Sequence, residues 1–210
     1  MTQNPAPRRG RLIAFEGGEA SGKSSQAARL AARLGAVLTR QPGGTAVGER
    51  IRTLMLDRAA AGLDARAELL LMAADRAQHV AEVVLPALLR GDDVVTDRFS
   101  HSTVAYQGYG RGLDLAEVRQ VCDMAAGGLW PDLVVFLDVP EDEAAARRGG
   151  EGGRRDRMED EDRAFHARVV AGYRAMAAEE PERWAVVDGT GTPDDVAVRV
   201  EAAVQALAGR

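Results

Sequence analysis

The sequence predicts an α/β fold in which a five-stranded parallel sheet lies between helices. Three observations carry this expectation. Short apolar runs alternate along the chain with stretches of helical spacing, without an obvious repeat or linker. The most apolar run, Leu133-Val134-Val135-Phe136-Leu137, has the continuous hydrophobicity of a strand covered on both faces. Finally, 210 residues fit one domain of this class and can bury a substantial core.

In chain order, residues 1–10 read as a flexible N-terminal tail and residues 11–210 as a single domain. Leu12-Ile13-Ala14-Phe15 is the first strand, and Ser25 to Leu34 has helical spacing that Gly35 stops. Ala36 to Thr39 is a second strand and Val47 to Leu56 a helix. Ala65 to Arg90 is a long helical region broken or kinked at Pro86. Asp93 to Asp97 forms a third strand, Leu115 to Ala126 a helix, and Leu133 to Leu137 a central strand. Trp184 to Asp188 is the fifth strand and Pro193 to Leu207 a closing amphipathic helix. Ligands are expected at the carboxyl ends of the strands.

Charge and cysteine content narrow the function classes. A net charge of −5 with 28% charged residues argues against broad nucleic-acid or anionic-membrane surfaces. Cys122 is the single cysteine, so no intrachain disulfide can form, as suits a reducing compartment. No apolar run approaches a membrane span, and the four apolar residues Leu12 to Phe15 after Arg8-Arg9 are too few for a secretory core. The expected location is cytoplasmic.

Between the first strand and helix lies Gly17-Gly18-Glu19-Ala20-Ser21-Gly22-Lys23-Ser24, a complete match to the phosphate-binding pattern G-x-x-x-x-G-K-[ST]. Lys23 is the only lysine among 27 Lys plus Arg. A slim ammonium on a flexible stem can thread between backbone amides to the β- and γ-phosphates. Loop amides and the helix N-terminus present donors to phosphate, while Ser24 can hold Mg²⁺.

Three further clusters fall near strand ends. Arg40-Gln41-Pro42-Gly43-Gly44-Thr45 has turn chemistry and precedes Arg50 and Arg52. Asp97-Arg98 directly follows a strand, where it would order Mg²⁺ water and bind an anion. Arg147 to Arg157 sets glycines around Glu151 between arginines, the composition of a lid that could close cations over phosphates.

Together these clusters resemble the thymidylate kinase family, from about Arg11 to the C-terminal helix. The most specific parts are Val95-Thr96-Asp97-Arg98-Phe99, with Ser102, Ala105, Tyr106 and Gln107, and the segment Arg40 to Thr45. The resemblance implies a P-loop nucleoside monophosphate kinase-like fold with a short lid at about 147–157. It also implies phosphorylation of dTMP to dTDP with ATP and Mg²⁺, and a homodimer. The chain is similar to the bacterial type whose lid supplies the arginines, since Ala20 occupies the loop position and Arg154 and Arg155 lie in the lid.

Residue by residue, the resemblance implies that Glu19 contacts the sugar 3′-hydroxyl and that Arg52 and Arg98 grip the monophosphate. Arg76 would donate to thymine O4, in agreement with a side chain that has only donors. Thr103 would meet the thymine N3 edge, Tyr106 would crowd a ribose 2′-hydroxyl, and Pro42, Ser102 and Gln107 would be substrate neighbours. Catalysis would rest on Lys23, Asp97, Arg98, Arg154 and Arg155, with Ser24 and Asp97 at the metal. Two departures stand out. Gln41 replaces the family's usual glutamate, and Met72 replaces a phenylalanine usually stacked on thymine.

Rival classes differ in testable residues. A GTP-binding switch protein needs an Asn-Lys-x-Asp motif, which cannot occur where the only lysine is Lys23 and the only asparagine is Asn4. A non-catalytic nucleotide-binding regulator would not need a monophosphate grip, a base-reading arginine and a lid at once. The nearer alternative is another P-loop nucleoside monophosphate or deoxynucleoside kinase.

Overall fold

The structure is a computed structural model that describes residues 9–150 and 156–208. Five strands, β1 (Leu12–Gly17), β2 (Val37–Arg40), β3 (Val94–Asp97), β4 (Leu133–Asp138) and β5 (Trp184–Asp188), form one parallel sheet in the order β2-β3-β1-β4-β5. Phe15 pairs with Asp97 on one side and Val135 on the other. That register brings the end of β1, where the phosphate loop begins, level with the Asp97-Arg98 pair at the end of β3.

Alternation along the strands splits the core. Ile13, Phe15, Val135 and Leu137 face α1 (Lys23–Leu34) and the C-terminal helix, meeting Leu30, Val196 and Val200. Val134 and Phe136 point the other way, into a cluster with Leu69, Val118, Phe165, Val169 and Tyr173. The elements between are α2 (Ala46–Leu56), α3 (Ala65–His79), α4 (Leu85–Arg90), α5 (Ser100–Thr103), α6 (Leu115–Ala126), α7 (Glu141–Gly150), α8 (Arg163–Glu179) and α9 (Pro193–Ala208).

Several local outcomes differ from the sequence reading. The interruption expected at Pro86 is a wide π-helical turn, Val80–Val84, just ahead of α4, in which the N–H of Leu85 reaches Val80 O. Pro86 has no N–H to return to Glu82, so the chain widens before it. Arg9 and Gly10, expected in the tail, are held to the body. Arg9 pairs with Asp132 at 2.8 Å and the Gly10 amide donates to Leu88 O at 3.0 Å. Helix α8 was not anticipated, although Phe165, Val169, Tyr173 and Met176 recur at helical spacing and Asp162 caps it by accepting from the Phe165 amide.

Candidate active site

The phosphate loop forms as the pattern requires. Gly17 takes φ +150°, and a Cβ there would lie 2.9 Å from Leu137 O, so only glycine lets the chain leave β1 beside β4. Ala20 and Gly22 adopt φ +56° and +87°, arching the loop toward the start of α1. Lys23 folds back into its own loop, donating to Gly18 O at 2.6 Å and Ser21 Oγ at 3.3 Å. Burial, with Arg98 close by, lowers its ammonium to about 8.

Opposite the loop, Ser24 Oγ donates to Asp97 Oδ2 at 2.5 Å, while Asp97 Oδ1 is buried without a hydrogen-bond partner among the described residues. A hydroxyl beside a carboxylate with an orphaned oxygen is a hard oxygen donor set, which fits Mg²⁺.

Arg98 stands between loop and cavity at φ +69°. Its Nη1 donates to Gly17 O, Ser102 Oγ and Tyr173 Oη at 3.0 to 3.1 Å. Its Nη2 donates to Glu19 Oε1 at 2.7 Å and Tyr106 Oη at 3.0 Å. Tyr106 Oη in turn donates to Glu19 Oε1 at 2.5 Å. Burial alone would raise the Glu19 carboxyl, but the Arg98 and Lys23 charges overcome it and hold the group down at about 2. Behind this layer Glu16, fully buried at the end of β1, accepts from the Phe99 amide, Ser102 Oγ and Tyr173 Oη.

A cavity of about 100 Å³ opens beside this cluster. Its lining includes the expected Glu19, Pro42, Arg52, Met72, Arg98, Ser102, Tyr106 and Gln107. It also includes Met55, Leu56, Asp156 and Met158, which the sequence reading did not single out. A second cavity, of about 570 Å³, is bounded by Lys23, Ser24 and Asp97 and shares Glu19, Arg52 and Arg98 with the first. A third, of about 230 Å³, lies along the outer side of the loop between Ala20, Gly22, Arg147, Gly189 and Pro193.

Two residues expected at the base are not among those that line the first cavity. Arg76 and Thr103 are fully buried and do not line the 100 Å³ cavity. The guanidinium donates to Gln41 Oε1 at 3.1 Å, Thr103 Oγ1 at 2.8 Å, Phe99 O at 3.2 Å and Cys122 Sγ at 3.6 Å. A fully desolvated guanidinium must satisfy its donors from its own surroundings, and here it does so inside the wall.

The same network gives Gln41 its role. Its Oε1 accepts from Arg76, so its amide nitrogen faces His79 Nδ1 at 2.9 Å, which leaves His79 Nε2–H to donate to Thr39 Oγ1 at 2.6 Å. Burial, reinforced by Arg76, lowers His79 to about 4, so the ring is neutral and a neutral carboxamide suits it.

At the expected lid, Arg147 donates to Gly189 O at 2.9 Å and pairs with Glu143 at 2.5 Å. Arg157 is buried, donating to Met55 O at 2.8 Å and pairing with Glu68 at 2.6 Å. The proposed catalytic pair Arg154 and Arg155 lies outside the described residues.

A phosphate loop, a Ser-Asp pair and an arginine-lined cavity meeting at one set of strand ends define a P-loop phosphotransferase that acts on a nucleoside monophosphate. The family profile described as thymidylate kinase matches residues 15–200. Thymidylate kinase from Solidesulfovibrio magneticus is 50% identical over 204 residues, covering 90% of this chain and 96% of the relative. That from Desulfovibrio desulfuricans is 47% identical over 207 residues, covering 93% and 95%. The crystal structure of thymidylate kinase from Ehrlichia chaffeensis superposes with a TM-score of 0.77 at 31% identity, covering 94% of this chain and 100% of that one. The chain belongs to the thymidylate kinase family, enzymes that phosphorylate dTMP to dTDP from a nucleotide phosphoryl donor.

Proposed function

We propose that the phosphoryl donor is ATP, that Mg²⁺ is held by Ser24 and Asp97, and that dTMP occupies the 100 Å³ cavity with its phosphate at Arg98 and Arg52. The observation that carries this reading is that Glu19, Arg52 and Arg98 belong to both cavities. A monophosphate seated from one side and a triphosphate cradled by Gly17 to Ser24 from the other would meet there, held for in-line transfer.

The second pKa of a phosphate monoester is about 6, so dTMP is mostly dianionic at neutral pH and attacks without a general base. Asp97 therefore organises and does not take a proton. Mg²⁺, when bound, supplies charge neutralisation on the transferring phosphoryl group. Lys23 exchanges Gly18 O for phosphate oxygens, and Arg98 exchanges part of its Glu19 and Tyr106 contacts for the acceptor phosphate. Glu19 is then placed for the 3′-hydroxyl and Tyr106 for the 2′ edge of the sugar. The donor base fits the cavity beside Arg147 and Gly189.

At the other end Met72, Met55 and Met158 surround the thymine ring and Gln107 supplies a polar edge. Arg76 and Thr103 act from the layer behind, holding the wall on which Met72 and Gln107 are mounted. Arg154 and Arg155 complete the charge over the phosphates, and replacing both by Ala lowers kcat more than it weakens dTMP binding.

A homodimer and a cytoplasmic location belong to the same reading. Leu70, Leu89 and Met124 are exposed apolar side chains that a second copy would cover, which light scattering tests. No helix among the described residues is long and apolar enough to cross a membrane. The deciding assay is ADP release with dTMP, dUMP, dCMP, AMP, GMP and thymidine, with Mg²⁺ and with a chelator. Turnover that prefers another acceptor, or survives full chelation, overturns the corresponding part.

A further inference from the structure

Glu68 lies outside the cavity, yet it touches the side chain best placed to read a base. It is completely buried at the start of α3, where Oε1 accepts from Gln107 Nε2 at 2.7 Å and from Arg111 Nε at 3.2 Å. Its Oε2 accepts from Arg157 Nη2 at 2.6 Å and Arg111 Nη2 at 3.1 Å. Burial pushes this carboxyl up, but the hydrogen bonds from Arg111 and Gln107 and the Arg111 charge outweigh it, leaving Glu68 below the usual range and ionised.

An ionised carboxylate can only accept, so the atom that Gln107 turns toward it must be the amide nitrogen. The other end of that amide is thereby fixed. Gln107 Oε1 is buried and has no hydrogen-bond partner among the described residues, and Gln107 lines the cavity. An unpartnered carbonyl oxygen, buried on a residue that lines a ligand cavity, is satisfied when a donor on the ligand reaches it. Thymine and uracil carry N–H at N3, whereas cytosine carries a lone pair there.

We propose that Glu68 is a specificity-determining positioning residue: by accepting from Gln107 Nε2 it obliges Gln107 to present a carbonyl oxygen to the base, which selects pyrimidines that donate at N3. This deepens the proposed function and rests on the base lying against Gln107. Arg111 and Arg157 complete the device. Their two Nη2 donors converge on Oε2, while the only arginine contact at Oε1 among the described residues is the longer one from Arg111 Nε at 3.2 Å, so an amide at position 68 would keep its oxygen at Oε2 and turn its nitrogen toward Gln107. Gln107 would then have to flip and offer NH₂ to the cavity.

Glu68→Gln therefore reverses the polarity of the base edge without changing any residue that touches the base. The test measures kcat/KM for dTMP and for dCMP in the wild type, Glu68→Gln, Glu68→Asp and Gln107→Ala, with thermal melts. Glu68→Gln should cut the dTMP:dCMP ratio about tenfold or more, because one matched bond becomes a clash of donors. Glu68→Asp, which keeps an acceptor-only group, should retain the preference in its folded fraction. If Glu68→Gln does not fold because the buried Arg157 loses its counter-charge, the double variant Glu68→Gln/Arg157→Gln removes that charge and takes its place, Arg111 keeping its pair with Glu161.

A lowered melting point with an unchanged ratio in Glu68→Gln, while Gln107→Ala alters the ratio, overturns the role of Glu68 and leaves the placement of the base intact. An unchanged ratio in Gln107→Ala overturns the placement of the base and this inference with it.

Discussion

The two ends of the cavity proposed for dTMP are built on opposite principles. At the phosphate end every polar side chain is bonded before substrate arrives: Arg98 to Glu19, Tyr106, Ser102 and Tyr173, and these in turn to one another and to Glu16. At the base end the walls are Met55, Leu56, Met72 and Met158, unbranched or aliphatic side chains without directional bonds to the ring. The proposed phosphate end would read charge through a cage that already holds its cations in place, so that binding two polyanions exchanges some of their contacts and does not have to gather them. In the proposed reading the base end would gain affinity from polarisable contact that adapts to shape, and would leave discrimination to a few polar atoms such as Gln107 Oε1.

The largest expected effect comes from the phosphate side. Lys23→Met should lower kcat at least roughly 10³-fold while the melting point stays near that of the wild type. The loop amides would still bind phosphate, but the cation that now meets Gly18 O and that the proposed function moves onto the β/γ oxygens would be gone. Near-normal turnover in this variant would mean that the preformed cage does not serve phosphoryl transfer.

Arg98→Lys breaks the cage at its centre. An ammonium is a point donor on a flexible stem and cannot hold Gly17 O, Ser102, Tyr173, Glu19 and Tyr106 from one position. We expect kcat/KM for dTMP to fall about 10²-fold, with the KM for the phosphoryl donor changing far less. An equal loss for both substrates would place Arg98 on the donor's path and not on the acceptor's.

The two ends also differed in how well the sequence revealed them. Most of the phosphate end could be read because its chemistry is local: G-x-x-x-x-G-K-[ST] is one contiguous segment, and Asp97-Arg98 follows a strand directly. The sheet was legible for a similar reason, since β4 is a continuous apolar run and each helix carries its own period. The cage behind Arg98 was not. Glu16 and Tyr173 are 157 positions apart, and only the packing of α8 against β1 brings them within 3.1 Å. The pattern Phe165, Val169, Tyr173 and Met176 could have revealed that helix, though not the hydroxyl's partner.

Long-range pairing likewise decided the fate of the arginines. Arg157 looked like part of a mobile, cationic lid, but Glu68, 89 positions earlier, draws it into the wall. Arg76, which the resemblance sets against the thymine, is bonded to Gln41 and Thr103, partners 35 and 27 positions away. A charged side chain in a sequence carries no mark of whether its counter-charge will be a ligand or a neighbour.

The smallest expected effect sharpens the contrast at the base end. Met72 lines the cavity together with Met55 and Met158. If these thioethers act as an adaptable wall, Met72→Phe offers a planar face whose offset stacking is worth about 0.5–1.5 kcal/mol beyond area burial. The sulfur–aromatic contact it replaces is worth a similar ~0.3–1.5 kcal/mol, so the net change in Kd for dTMP should be only a few-fold tightening. Met72→Ala removes the contact without replacement and should weaken dTMP more clearly. It also opens space beside Leu69 and Ala73, so its melting point will fall whatever the ligand does. Calorimetric titration of dTMP into both variants, beside thermal melts, separates the two contributions. Unchanged affinity in both, with a lowered melting point in Met72→Ala, would show that Met72 supports the wall without touching the base. The adaptable surface would then be confined to Met55, Leu56 and Met158.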